Sequence, residues 1–90
     1  MKRIKLDNVS IQKREDKNFN TYFIVVNDYD QNEAFFCFER AVQKGWQDLI
    51  NSWEQIKGVE IEYEEAERGR KVIELIPLNL QDQDQDQDQE

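Results

Sequence analysis

The chain has 90 residues, of which 38% are apolar, and a net charge of −8, which indicates one small folded domain. It contains no histidine and a single cysteine, which excludes a His base, a His metal ligand and an internal disulfide. It also contains no apolar run long enough to span a membrane and no signal-peptide pattern after Met1, so we expect a cytoplasmic protein.

Much of the negative charge belongs to the last ten residues, QDQDQDQDQE, which contain five of the twenty acids and no apolar residue. Such a segment cannot contribute to a core, so we predict a folded domain over residues 1–80 and a disordered, low-complexity acidic tail over residues 81–90. Two interpretations of the tail stay open. It either competes with a ligand or docks a partner, or it only increases solubility.

The first half of the chain predicts three strands. Ile4, Leu6, Val9 and Ile11 indicate the first, and the change of phase at 7–8 predicts a bulge or bend. Residues 21–26 form a β-branched and aromatic run typical of a central strand. After a turn-rich segment, residues 34–38 predict a third strand, antiparallel to the second.

The second half predicts a helix and two strands. The helix is indicated by apolar residues at helical spacing, with Gly58 as a left-handed cap at its end. Gly45 in the first turns costs roughly 1 kcal/mol relative to Ala, so it could mark the start of the regular helix. Those apolar residues are Val42, Trp46, Leu49, Ile50 and Trp53. Residues 59–64 alternate apolar and acidic, which predicts a half-buried strand. A hairpin tip at 68–70 and a returning strand over 71–78 complete the order β-β-β-α-β-β.

This order, with the stretches KNFNTYFIVVND, NEAFFCFER and KGVEIEYEEAERGRKVIEL, resembles an OB-fold domain of the kind that binds single-stranded nucleic acid. The resemblance implies an all-β fold with one helix, closed as a five-stranded barrel. An open α+β sheet with the helix on one side is the alternative. In that arrangement the two basic loops would lie apart.

The resemblance also implies a ligand lying across the second and third strands, between the loop joining strands 1 and 2 and the loop joining strands 4 and 5. Basic residues in the two loops would contact phosphates, and aromatic residues between them would stack on bases. The basic residues are Lys13, Arg14, Lys17, Arg68, Arg70 and Lys71, and the aromatic candidates are Phe19, Tyr22 and Phe35.

Each of these residues has a simpler explanation. Loop bases often only increase solubility, and acids such as Glu15 and Glu65 lie among them. Most aromatic residues of the second and third strands must be core. A slip of one residue in register would exchange the inward and outward positions of Phe35 and Phe36.

No catalytic, metal or cofactor site is predicted. Asp28, Asp30, Asn32 and Glu39 match calcium-loop spacing, but position 6 of that loop requires Gly and is Glu33 here. Cys37 lies in an apolar strand and is expected to be buried and unreactive. We therefore expect a protein that is not an enzyme.

The sequence favours a module that binds single-stranded DNA or RNA with little sequence preference. The alternative is a protein-interaction adaptor or a subunit of a larger assembly, in which Phe35 or Val72 and the acidic fourth strand form the interface. The sequence does not determine the oligomeric state.

Overall fold

The computed structural model describes residues 1–78, which form one sheet of six strands and one short helix. The elements in chain order are β1 (Lys2–Leu6), β2 (Val9–Glu15), β3 (Thr21–Asn27), β4 (Asp30–Phe38), α1 (Trp46–Ser52), β5 (Val59–Ala66) and β6 (Gly69–Pro77). The predicted class, mostly β with one helix, is confirmed. The predicted acidic tail lies outside the described residues.

The first predicted strand is two strands, because the chain changes partner at Asp7 and Asn8. β1 pairs with β5, from Lys2 opposite Tyr63 to Leu6 opposite Val59. β2 pairs instead with β3, from Val9 opposite Asn27 to Glu15 opposite Thr21. The change of phase in the sequence therefore marks the point at which the chain leaves one side of the sheet for the other.

The strand order is β1-β5-β6-β4-β3-β2. Neighbouring strands are antiparallel except β4 and β6, which are parallel and pair at Phe35 with Arg70 and Phe36 with Lys71. The antiparallel pairing of β3 with β4 was predicted and is confirmed. The closed five-stranded barrel is not confirmed, because the sheet has six strands and, among residues 1–78, β1 and β2 end the order without pairing to each other.

The core lies on the inward face of the sheet, where alternate residues of each strand meet. In β3 and β4 these residues are Phe23, Val25, Phe35 and Cys37, all with no exposed surface. Trp46 and Trp53 pack against this core, as predicted, with ring centroids 5.4 and 6.2 Å from that of Phe23. The fully buried aliphatic side chains include Leu49, Ile56, Ile61, Val72 and Leu75.

The helix is shorter than the apolar pattern predicted, and Gly45 explains where it begins. Gly45 is its N-cap, with φ 105°, and a Cβ there would lie 2.1 Å from the backbone oxygen of Leu75 in β6. Val42 therefore precedes the helix, in a turn closed by its N–H donating to the Phe38 carbonyl. Leu49 is the buried helical residue, whereas Ile50 is 42% exposed, so its assignment to the apolar face was wrong.

The predicted helix end was also wrong. The helix ends at Ser52, and its C-cap Trp53 has right-handed helical torsion angles. Within residues 1–78 the glycines with positive φ are Gly45 and Gly69, so Gly58 is not a left-handed cap. In this part of the chain, no helix is both long and apolar enough to cross a membrane.

Candidate functional site

The outward face of β3 and β4 carries a cluster of three aromatic side chains, Tyr22, Phe36 and Phe38, here called the aromatic face. Tyr22 is opposite Phe38 in the strand register, and their ring centroids are 5.4 Å apart. The rings of Phe36 and Phe38 are nearly parallel, with centroids 6.2 Å apart and an angle of 13° between planes. Phe38 is 37% exposed, although large aromatic side chains are usually buried.

Tyr22 was predicted as a stacking residue and lies on this face, but Phe35 does not. Phe35 is fully buried, with its ring centroid 5.0 Å from that of Tyr63, so it cannot stack on a ligand without unfolding the core. Phe36 and Phe38 occupy the outward positions instead. Because residues 35–38 are all apolar, alternation within the strand could not decide which two point outward.

Three of the basic residues predicted to bind phosphate lie around the aromatic face. Arg14 is opposite Tyr22 in the pairing of β2 with β3, and its guanidinium donates a 2.6 Å hydrogen bond to Gln12 Oε1. Lys71 is opposite Phe36 in the pairing of β6 with β4. Arg68, from the β5–β6 turn, lines a groove of about 280 Å³ with the three aromatic residues and Asp16.

The other three basic residues predicted to bind phosphate have different surroundings. Lys13 is opposite Phe23, so its side chain starts from the other face of β2 than that of Arg14, although it is exposed. Arg70 lies over the ring of the buried Phe35, with Cζ 5.4 Å from the centroid, a cation–π geometry that covers part of the core. Lys17 is exposed in the β2–β3 loop.

The β2–β3 loop is organised by the side chain of Asp16. Its Oδ1 accepts hydrogen bonds from the backbone N–H groups of Asn18 and Asn20, at 2.8 and 2.9 Å, and its Oδ2 accepts from Asn20 Nδ2. The backbone hydrogen bond from Asn20, with the one from Asn18, lowers the pKa of the Asp16 carboxyl. The loop is therefore held in one shape beside the groove.

Phe19, the third predicted stacking residue, lies at the tip of this loop. It is 81% exposed and has φ 66°, a left-handed conformation that is uncommon for an aromatic residue. Its N–H donates to the Asp16 carbonyl at 3.0 Å, which fixes the backbone in this conformation. The loop thus presents an aromatic ring to solvent at one end of the sheet.

The ion pairs within residues 1–78 all join β1 to β5 or β6. Arg3 of β1 binds Glu60, Glu62 and Glu74 at 3.1, 3.1 and 3.4 Å, and Lys2 binds Glu65 at 3.5 Å. The basic side chains around the aromatic face, those of Arg14, Arg68 and Lys71, have no carboxylate within 4.0 Å in this part of the chain. Within residues 1–78 these three cations therefore form no ion pair, although Glu64 is opposite Lys71 in the pairing of β5 with β6.

The described residues offer little for metal binding or nucleophilic catalysis. In residues 1–78 no group of three or more His, Cys, Asp or Glu side chains is arranged to hold a metal ion. Asp30 and Asn32, part of the calcium-loop spacing, lie in the extended strand β4. Burial raises the pKa of the Cys37 thiol to about 12, which keeps it protonated and unreactive near neutral pH.

Comparison with known proteins adds no relative. No known protein family, no curated protein and no solved structure matches the chain.

Proposed function

We propose that the chain is a non-enzymatic module that binds single-stranded DNA or RNA with low sequence specificity. The observation that supports this best is the aromatic face itself, a sheet surface with three outward rings bordered by Arg14, Arg68 and Lys71. Aromatic platforms bordered by cations are how proteins bind single strands without reading their sequence.

Each part of this surface has a physical role in the proposal. Tyr22, Phe36 and Phe38 stack on successive bases, at roughly 1–3 kcal/mol for each stacked base. The three cations bind phosphates of the strand as it crosses from β2 to β6. Phe19 adds a ring at the end of the track, held outward by the loop that Asp16 organises.

We also propose that the fold is OB-like. If β1 and β2 are taken as two halves of one strand bent at Asp7 and Asn8, the order becomes a ring in which that strand borders both β5 and β3. The parallel pair of β4 with β6 then closes the ring, which is the connectivity of the predicted five-stranded barrel. The free thiol of Cys37 fits a cytoplasmic location.

The alternative function is a protein-interaction adaptor, but most of the residues predicted to form its interface are not free to contact a partner. Phe35 and Val72 are fully buried, and the acids Glu60 and Glu62 of β5 are paired with Arg3. An adaptor would therefore have to use the aromatic face. Its affinity for a partner would rest on apolar contact and would change little with salt, which separates the two functions.

Fluorescence anisotropy of labelled oligo-dT and oligo-U, titrated with the protein at 50 and 200 mM salt, tests the proposal. Three phosphate contacts predict about a 20-fold loss of affinity between these salt concentrations, because the logarithm of the binding constant falls by about 0.7 per contact for each tenfold rise in salt. A version truncated after Leu80 is titrated in parallel to measure the effect of the acidic tail. Absence of binding by both versions at low salt would favour the adaptor.

Charge reversal at a matched pair of lysines locates the binding surface. We expect Lys71→Glu, beside Phe36, to weaken binding about tenfold, whereas Lys57→Glu, just before β5, should have only the small effect of changed net charge. The double variant Phe36→Ala with Phe38→Ala should weaken binding at both salt concentrations, because stacking is not screened. Equal effects of the two lysine changes would place the strand elsewhere.

A further inference from the structure

A second pocket of about 300 Å³ adjoins the groove that Arg68 lines. Phe38 and Asp16 border both spaces, so the pocket continues the aromatic face toward the end of the sheet. Its remaining lining comes from the β2–β3 loop and the start of β3, through Asn18, Asn20 and Thr21, and from the turn after β4, through Glu39 and Arg40. The volume is at the lower end of the range for sites that enclose small molecules.

Both sides of this pocket are fixed by hydrogen bonds. The Asp16 carboxylate holds the loop at Asn18 and Asn20, so its oxygens are largely occupied. The turn that carries Glu39 and Arg40 is closed by the N–H groups of Ala41 and Val42, which both donate to the Phe38 carbonyl at 2.9 Å. The pocket is therefore preformed, with the Phe38 ring beside it.

Besides the polar side chains of Asn18 and Thr21, the pocket is lined by two charged groups that Asp16 does not occupy, the Glu39 carboxylate and the Arg40 guanidinium. Glu39 and Arg40 are both exposed, and neither forms an ion pair or a side-chain hydrogen bond within residues 1–78. A carboxylate that accepts two parallel N–H groups, and a guanidinium that donates to two acceptors, are both strong hydrogen-bonding arrangements. The ligand that suits this pair presents two adjacent donors and two adjacent acceptors.

We propose that this pocket is a guanine subsite at one end of the single-strand track. Of the common bases, only guanine has two adjacent N–H donors, N1 and N2, for a carboxylate, together with the acceptors O6 and N7 for an arginine. In the subsite the ring stacks on Phe38, Glu39 accepts from N1 and N2, and Arg40 donates to O6 or N7. This rests on the proposed function, to which it adds a preference for one base at one position.

Competition titrations with dT oligonucleotides of nine residues that carry one dG, dA, dC or inosine at the centre test the subsite. We expect the dG strand to bind about tenfold more tightly than the all-dT strand, since one bidentate contact discriminates by about this factor. Inosine, which lacks the N2 amine, should lose most of that gain, and dA and dC should give none. If all strands bind equally the subsite is wrong while the proposed function stands, and if none binds the proposed function itself fails.

A variant pair assigns the preference to its residue. Glu39→Gln keeps the size of the side chain but removes the second acceptor, so the dG advantage should disappear while binding of all-dT is kept. Glu54→Gln, an equal change outside the pocket lining, should leave the dG advantage intact. Free 5′-GMP offers the same guanine chemistry from another source, and GMP binding as tight as that of the dG strand would assign the pocket to a mononucleotide and overturn the strand proposal.

Discussion

Gly69 lies directly against the ring of Phe36, so close that a Cβ at Gly69 would be 2.9 Å from Phe36 Cε2. Gly69 is the first residue of β6 and has φ 138°, a conformation that side chains rarely adopt. The turn of the β5–β6 hairpin thus packs against Phe36, a residue of the aromatic face. The position of Arg68, one residue earlier, depends on this contact.

We expect Gly69→Ala to destabilise the fold by about 1–3 kcal/mol, through backbone strain and the clash with Phe36. Urea denaturation measures the change in the free energy of unfolding. In a Phe36→Ala background the clash is removed and only the strain remains, so the cost of Gly69→Ala should be smaller there. An equal cost in both backgrounds would show that the ring does not restrict the hairpin.

Gly45→Ala should be the more damaging of the two glycine changes. The atom that a Cβ would meet is the backbone oxygen of Leu75, at 2.1 Å, in a strand whose own N–H binds the Lys44 carbonyl. A backbone atom in a paired strand cannot move aside as a phenyl ring can, so we expect a loss of more than about 3 kcal/mol. Thermal denaturation followed by circular dichroism measures it, and a melting temperature above that of Gly69→Ala would contradict this ranking.

The buried thiol of Cys37 predicts a specific response to alkali. Its pKa is about 12 in the folded state and about 9 in the unfolded chain, so only the unfolded state ionises between these values. The stability that depends on the protonated thiol is complete below pH 9 and falls above it, by up to about 1.4 kcal/mol per pH unit. Urea denaturation at pH 8 to 11 should show a steeper loss for the natural chain than for Cys37→Ala, which lacks the thiol; parallel curves would contradict the shift.

Asp16 predicts a response at the acid end that is local to the β2–β3 loop. Its pKa is lowered from 3.8 by hydrogen bonds from Asn20 and Asn18, so its contribution to loop order is present above pH 3.8 and is lost as pH falls through the lower folded value. The amide protons of Asn18 and Asn20 should shift together in NMR spectra over that range. Asp16→Ala should produce the shifted state at neutral pH, whereas Asp16→Asn, which keeps one acceptor oxygen, should not.

The strands were accessible from the sequence because their patterns are local. The alternation at Val59, Ile61 and Tyr63 predicted β5 and its buried face, and the phase change at 7–8 predicted the point where the chain bends. The helix begins just after Gly45, where the cost of glycine in a helix indicated that it could begin, but the contact that requires glycine at this position is with the Leu75 carbonyl, thirty residues away. No local pattern contains that contact.

Only part of the candidate site could be predicted from the sequence, for the same reason. Tyr22 was correctly placed in a strand, whereas Lys13 and Arg14 were predicted in a loop and lie in β2, where Arg14 is opposite Tyr22. Phe36 and Phe38 were missed since an unbroken apolar run has no preferred face, and Glu39 and Arg40 gave no signal until the turn after β4 brought them beside the loop at Asn18.

The partner exchange at Asp7 and Asn8 also bears on how the chain is made. β1 is synthesised before the other five described strands, yet its only strand partner among the described residues is β5, which is synthesised much later. β2, by contrast, finds β3 almost at once. β1 therefore stays without its partner until most of the domain has been translated, and its three cations, Lys2, Arg3 and Lys5, are the type of side chain that opposes pairing of an exposed strand with another chain.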